Sequence, residues 1–471
     1  MFSSYLSPLV RRYASREMAE LFSPLSYARA WRKVWLVLAE AQRDVGAPIT
    51  DAQIESLRAT MDTIDLARVA EIEAETRHDV MAHLRAWGEI CPEAKPIMHL
   101  GATSQYVNDN AEALLLREAT GLVRDRIVNV LRALTTFAER EKDRPTLGYT
   151  HFQPAQLVTA GKRATLWISD LVHDLNDVSM RLEEIPCRGA KGTTGTQASY
   201  LDLLGSARKV RELDQGIALR LGFAKPEPVT GQTTSRKHDV RLLDALAGVS
   251  VSVGKLGRDV RLLMHTGELR EPFREKQVGS SAMPYKRNPI LAERLCALAR
   301  IVTHHRNAIA EMAASQWLER SLDDSATRRV SMPDAFLAAD GMLRVAYELA
   351  SGLQVDEART RAIVDRHLPF MVVEKVLNAV VKSGGDRQEA HERLREHAMA
   401  VYANPDKVSF VELLKADPAF KNVSGSIKKL MKAEKLTGLA RQQVEEFLKL
   451  TVRPLLERHR DTPAMVDTLR V

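Results

Sequence analysis

The sequence predicts a nearly all-α chain in three parts, built around a central bundle of long helices. Three observations carry this. Proline is absent between Pro96 and Pro145, Pro154 and Pro186, Pro228 and Pro272, and Pro289 and Pro333. A proline inside a helix costs about 3 kcal/mol, so these gaps leave room for long helices. Within them apolar residues recur at helical spacing. No stretch shows the clean alternation of a half-buried strand, and aromatic residues make up only 5% of the chain, which disfavours sheet.

Residues 1–103 mix shorter helical patterns with Pro8, Pro24, Pro48, Pro92 and Pro96, and are read as an N-terminal helical domain. Residues 104–355 are read as the long-helix bundle. There Ala111, Leu114, Leu115, Leu122, Val123, Ile127, Val130, Leu131, Leu134 and Phe137 predict one helix over about residues 105–140, roughly 50 Å long. After Lys237, the residues Val240, Leu243, Leu246, Val253, Leu256, Val260 and Leu263 predict a second. Gly248, Gly254 and Gly257 weaken that helix locally but let a neighbour approach closely. Apolar residues occupy more than one helix face, so burial in an oligomer is expected. Residues 356–471 are read as a C-terminal helical domain of short, charged segments, broken at Asn404-Pro405-Asp406 and Asp417-Pro418.

The 471 residues carry a net charge of +7. A basic balance suits nucleic acid, an acidic membrane surface or small polyanions, and equally plain solubility. The most basic stretch, Lys428 to Lys435, lacks interleaved aromatics and reads as a solvated helix face rather than a nucleic-acid contact. Cys91, Cys187 and Cys296 form neither a disulfide framework nor a metal-ligand spacing, which points to a reducing cytosol. Met1–Tyr5 shows no basic segment followed by an apolar core, and no apolar run reaches about 18 residues. A cytoplasmic protein without a signal peptide or membrane span is the expectation. No cluster has convincing metal spacing, so neither metal nor organic cofactor is expected. Gly189, Gly192 and Gly195 lack the Gly-Lys-Ser/Thr ending of a phosphate loop.

One segment is compositionally peculiar. Residues 279–289 pack Gly279, Ser280, Ser281, Pro284, Lys286, Arg287, Asn288 and Pro289 between helical stretches. Such a cluster is usually a connecting loop. Its hydroxyls, lysine and asparagine are nonetheless suited to surrounding a developing anion, and a helix starting at Pro289 would add exposed N–H groups.

Gly-Ser-Ser-x-Met-Pro-x-Lys-x-Asn-Pro is the motif of the fumarase/aspartase superfamily, and the loop resembles it at every fixed position. Its Tyr285-Lys286-Arg287 version is similar to the adenylosuccinate lyase branch, animal type. Further segments resemble that family in order: Arg12-Tyr13, Arg77-His78-Asp79-Val80, His99 to Ser104, Tyr149 to Ala155, Arg188 to Gly195, Gly231 to Lys237 and Trp317 to Ser325. The similarity covers about residues 10–335, with little that is specific beyond residue 355. Asn108 stands where related enzymes often have glycine, and His238 where a small apolar residue is common, which puts local loop geometry in question.

The resemblance implies β-elimination of fumarate from adenylosuccinate, giving AMP, and from the succinylated aminoimidazole carboxamide ribotide SAICAR, giving AICAR. It implies Ser280 as base, with Ser281 the alternative, and Lys286 and Asn288 around the carboxylate that gathers charge. His151 is the implied general acid, with His78 as the other candidate or as a substrate partner; histidine titrates near neutrality. Arg12, Tyr13, Arg294, Arg320, Ser325 and Arg329 resemble nucleotide and phosphate contacts, and planar arginine donors suit phosphate. Thr103, Ser104 and Gln232 resemble succinyl contacts, and Asp79 the purine side. Arg77 and Thr150 belong to the same segments. A homotetramer whose active sites draw on three subunits is implied as well. Two rival readings are another fumarate-releasing lyase of the superfamily and a non-catalytic basic helical binding protein.

Overall fold

The computed structural model describes residues 5–404, 407–425 and 430–466. Met1–Ser4, Pro405, Asp406, Lys428 and Lys429, on which the leader, chain-break and basic-stretch readings partly rest, lie outside the described residues.

Five long helices form the centre: α1 (Ser104–Arg140), α2 (Ala160–Glu184), α3 (Lys237–Thr266), α4 (Ile290–Ala314) and α5 (Asp323–Gly352). The first and third match the helices read from apolar spacing, and α1 is about 55 Å long. Helix α3 lies along α4, α4 along α5, and α1 against both α2 and α5. Ala164, Trp167, Ile168, Leu171, Leu175 and Val178 give α2 one buried stripe, at the spacing that places them on a single face. The glycines of α3 do permit close approach. A Cβ at Gly257 would lie 2.9 Å from the Ala292 carbonyl oxygen, and one at Gly254 would lie 3.3 Å from the Ala299 methyl. Asn108 and His238 fall in the opening turns of α1 and α3, so helix geometry governs both positions rather than a loop.

A β-hairpin interrupts the helical pattern. β1 (Pro145–Thr150) pairs antiparallel with β2 (Gln153–Thr159), with Thr150 opposite Gln153. The connecting residues, His151 and Phe152, both take left-handed backbone angles, φ 52° and 57°. Positive φ at both central residues is the requirement of a type I′ hairpin turn, which normally selects Asn-Gly. The hairpin escaped the sequence reading because few of its apolar residues point inward; Leu147 and Leu157 are the buried ones.

The N-terminal helix Pro24–Asp44 packs on α1, with Val34 and Leu38 buried in the shared core and the Tyr106 hydroxyl donating to the Val34 carbonyl at 3.1 Å. Residues Val372 to Val423 contribute to a separate small core. The last helical stretch, Ala440–Phe447 through Arg453–Arg458, returns to the central bundle and buries Val444, Leu448, Val452 and Leu455 there. Among the described residues no helix is long and apolar enough to cross a membrane.

Candidate active site

Three helix starts converge on a cleft of about 470 Å³. Arg77 ends one helix in a left-handed conformation, φ 51°, and so turns the chain toward His78, which caps the next, Asp79–Ile90. The His78 Nδ1 accepts the Met81 N–H at 3.4 Å and lies 3.6 Å from an Asp79 carboxylate oxygen. The His78 Nε2 lies 3.4 Å from the Ser104 hydroxyl, at the start of α1. Beside it, Gln232 donates to the Thr103 hydroxyl at 3.4 Å and accepts from Arg320 at 3.2 Å. Ser325 and Arg329, on the first turns of α5, complete the wall.

Asp79 and Arg329 form an ion pair across this cleft. Burial opposes ionisation of Asp79, yet the Arg329 guanidinium and the Val80 N–H hold its carboxyl below the usual range. Behind the pair opens a chamber of about 460 Å³, with Phe22, Tyr27 and Trp31 among its apolar lining and Glu112 and Arg328 among its polar lining.

A buried charge network carries the cleft floor. Arg236 binds Asp324 at 2.7 and 3.0 Å and Asp109 at 3.1 Å. Arg328 grips Asp239 at 2.8 and 3.1 Å and also pairs with Glu112. Arg320 reaches the other oxygen of Asp324 at 3.3 Å. Burial opposes charge on Asp109, but Arg236 and Arg328 keep its carboxyl low; burial wins at Glu112, whose carboxyl is raised despite Arg328. Helices α1, α3 and α5 thereby share one buried network that also holds Arg320, through charge-assisted bonds, which are shorter and stronger than neutral ones.

The cleft thus gathers Arg77, His78, Asp79, Thr103, Ser104, Gln232, Arg320, Ser325 and Arg329. The other predicted residues line different parts of the chain. Ser280, Lys286 and Asn288 sit in the 279–289 loop, where Lys286 and Asn288 border a groove with Arg258, Arg261 and His265. The Ser280 hydroxyl oxygen accepts the Met283 N–H at 3.1 Å, and the Asn288 amide donates to the Gly279 carbonyl at 2.9 Å. Thr150 and His151 stand at the exposed hairpin tip. Arg12 and Tyr13 lie in the turn Leu9–Tyr13 against α5, where Arg344 donates to the Tyr13 carbonyl at 2.6 Å. Arg294 lies in the first turns of α4.

One expectation is corrected. The N–H groups that open α4 do not stand free for an external anion: Glu271, itself buried, accepts from Leu291 at 3.0 Å and Ala292 at 3.2 Å. Burial raises its carboxyl while these N–H bonds oppose the rise. Pro289 is the residue before the helix rather than part of its first turn.

Sequence reading missed several cleft residues. With its amide oxygen toward Arg320, Gln105 accepts at 2.7 and 2.8 Å while its nitrogen donates to Asp109 at 3.3 Å. Gln105 directly follows Thr103-Ser104, and Asp324 directly precedes Ser325, so adjacency to named residues was the available signal. Nothing in sequence spacing flags Glu112 or Asp109 as partners of Arg328 and Arg236.

A bundle of this topology carrying this cleft matches a family of known proteins. Residues 17–303 match the model of a lyase family, described simply as Lyase, so the chain is a lyase of the fumarase/aspartase type. The solved fumarate lyase of Mesorhizobium sp. BNC1 superimposes with a TM-score of 0.83 at 26% identity, covering 93% of this chain and 99% of that one. The 3-carboxy-cis,cis-muconate lactonizing enzyme of Pseudomonas putida, 24% identical with TM-score 0.82, shares the fold. The curated adenylosuccinate lyases of Saccharomyces cerevisiae and Schistosoma mansoni are 43% and 40% identical, over 97% and 100% of this chain and 96% and 99% of theirs. The chain belongs to the adenylosuccinate lyase family. Residues 369–447, where the sequence offered no specific motif, match the model described as Adenylosuccinate lyase C-terminus.

Proposed function

We propose that this lyase releases fumarate from adenylosuccinate and from SAICAR, in active sites that several subunits of a homotetramer build together in the cytoplasm. The observation that carries the reading is the cleft itself. It sets hydroxyl and amide groups suited to a succinyl carboxylate (Thr103, Ser104, Gln232) beside arginines and a serine suited to a phosphate (Arg320, Arg329, Ser325).

In this reading Arg12, Tyr13 and Arg294 add nucleotide contacts, Asp79 faces the purine, and Arg77 and Thr150 complete the enclosure. Ser280 removes the proton from the carbon beside a succinyl carboxylate. The electron pair moves into that carboxylate, where Lys286 and Asn288 stabilise it, and such preorganised donors supply the main catalytic need. The pair then returns to form the double bond of fumarate as the C–N bond breaks. His151 protonates the departing nitrogen, while His78 orients substrate or relays the proton. The Met283 N–H on Ser280 supports the assignment, since a donor on the hydroxyl oxygen favours the alkoxide. The three-part division at residues 103 and 355 is kept as the domain reading.

Within one chain the base loop and the acid hairpin do not line the cleft, which is the reason for invoking other subunits. Fumarate release from both succinylated nucleotides by wild type, Ser280→Ala and His151→Ala tests the reading. Cleavage by wild type and loss of turnover in both folded variants is expected. A folded tetramer that cleaves neither substrate overturns the function, and full activity in Ser280→Ala overturns the base.

A further inference from the structure

The hairpin that carries His151 is tied to the body of the chain at one buried carboxylate. Glu268, just beyond the end of α3, is 1% exposed. One of its oxygens accepts from the Thr146 hydroxyl at 2.6 Å, and the other from the Tyr149 hydroxyl at 2.9 Å and from Thr266 at 2.8 Å. Thr146 and Tyr149 belong to β1, and Tyr149 is two residues before His151. Burial and the neighbouring carboxylate raise the Tyr149 hydroxyl above its ordinary range, so it remains a donor.

The attachment is directional. Three hydroxyls satisfy the carboxylate, so the full set of bonds exists only when β1 sits at one height against the end of α3. Arg163 adds a second hold, donating to the Leu147 carbonyl at 2.5 Å and lying over the Tyr149 ring. From Tyr149 the constraint passes to the turn, where the Tyr149 and Phe152 rings meet at 5.9 Å and both turn residues keep left-handed angles. Left-handed angles at non-glycine residues cost about 1–3 kcal/mol each and persist only where the surroundings enforce them. Three residues beyond Glu268, Glu271 fastens the start of α4, into which the 279–289 loop runs. One short segment, Glu268–Glu271, therefore holds both the hairpin and the far end of the loop.

We propose that Glu268 is a positioning residue for the elimination: through Tyr149 and Thr146 it fixes the hairpin and so aims the His151 imidazole at the departing nitrogen. This rests on reading His151 as the proton donor. Misplacing a proton donor by a fraction of an ångström lowers turnover more than substrate binding.

The test compares kcat, KM and the pH dependence of kcat for the full-length protein and for Tyr149→Phe, Glu268→Gln and the double variant, on adenylosuccinate. His151→Gln serves as a separate arm. Tyr149→Phe removes one hydroxyl and leaves both ring contacts in place. Each single variant is expected to lower kcat about ten-fold with KM changed less than about two-fold. Each should also displace a limb of the wild-type kcat–pH profile, a readout that mere loss of stability would not move. Because Tyr149→Phe removes one of the bonds that Glu268→Gln already disturbs, the double variant should lose no more than the worse single. Should Glu268→Gln fail to fold, Tyr149→Phe and Thr146→Val are each read singly for kcat, KM and pH profile in its place. Wild-type kcat and pH profile in the single variants, or losses that multiply in the double, overturn the proposal. Full activity in His151→Gln instead removes the reading beneath it, whereas an inactive His151→Gln beside fully active Tyr149→Phe and Glu268→Gln removes this inference alone.

Discussion

Replacing Arg236 by methionine tests whether the buried charge network carries the cleft. The Arg236 side chain is 3% exposed and its partners Asp109 and Asp324 are 1% exposed. After the substitution Asp109 would retain the Thr234 N–H and Arg328, whose nearest nitrogen is 4.0 Å away, and Asp324 would retain Arg320 at 3.3 Å. Removing one partner of a buried ion pair costs about 3–5 kcal/mol because the remaining charge is left without compensation. The residual arginines place this case near the lower end, at about 3 kcal/mol. The sign with pH follows from Asp109, whose folded-state carboxyl is depressed in the wild type. Its contribution is therefore present above the unfolded value, near pH 4, and lost as pH falls through the folded value. Urea unfolding at fixed protein concentration, from pH 7 downward, measures the gap between wild type and variant. It should be widest at neutral pH and close on acidification. The KM for adenylosuccinate should rise as well, because Asp324 also orients Arg320. A gap below about 1 kcal/mol at pH 7, or one that widens as the pH falls, refutes the reasoning.

Three further outcomes follow. Asp174 is buried between α2 and α3 with its carboxyl raised to about 6, so stability present below about pH 4 is lost as pH rises through that value. Asp174→Asn should therefore stabilise the protein at pH 8, by up to about 3 kcal/mol, with the gain vanishing below pH 4; melting temperatures across that range check it. Gly195 has φ 84°, and a Cβ there would lie 1.9 Å from the Thr230 carbonyl oxygen. Gly195→Ala should cost about 3 kcal/mol or more and raise KM by displacing the neighbouring Gln232 segment, as unfolding and steady-state kinetics together would show. Arg329→Lys keeps the charge but loses the planar donor pair, so KM should rise about ten-fold with kcat little changed.

Much of the architecture was legible because proline gaps and apolar spacing act over thirty or more residues. Helices α1 and α3 fall where Ala111 to Phe137 and Val240 to Leu263 placed them. The β-hairpin was not, since its order rests on the Glu268 hub and a strained turn rather than on alternation. The candidate residues of the cleft came from short contiguous motifs, and the fold brings Arg77-His78-Asp79, Thr103-Ser104, Gln232 and Arg320 to Arg329 together. What motifs do not encode is partnership across distance. Arg236 to Asp109 spans 127 positions, and Arg328 to Glu112 spans 216. The α4 start illustrates the opposite error: a free helix N-terminus was expected, but Glu271, 20 positions from Leu291, already fills it.

The claim that one active site is assembled from separate clusters is tested most directly by mixing two inactive chains. Ser280→Ala and His151→Ala proteins, dissociated together and reassembled, would be assayed for fumarate release from adenylosuccinate. If base and acid come from different subunits, random hybrids regain up to about a quarter of wild-type activity, because that fraction of sites receives both native residues. Mixed assemblies that remain as inactive as their parents would contradict the account.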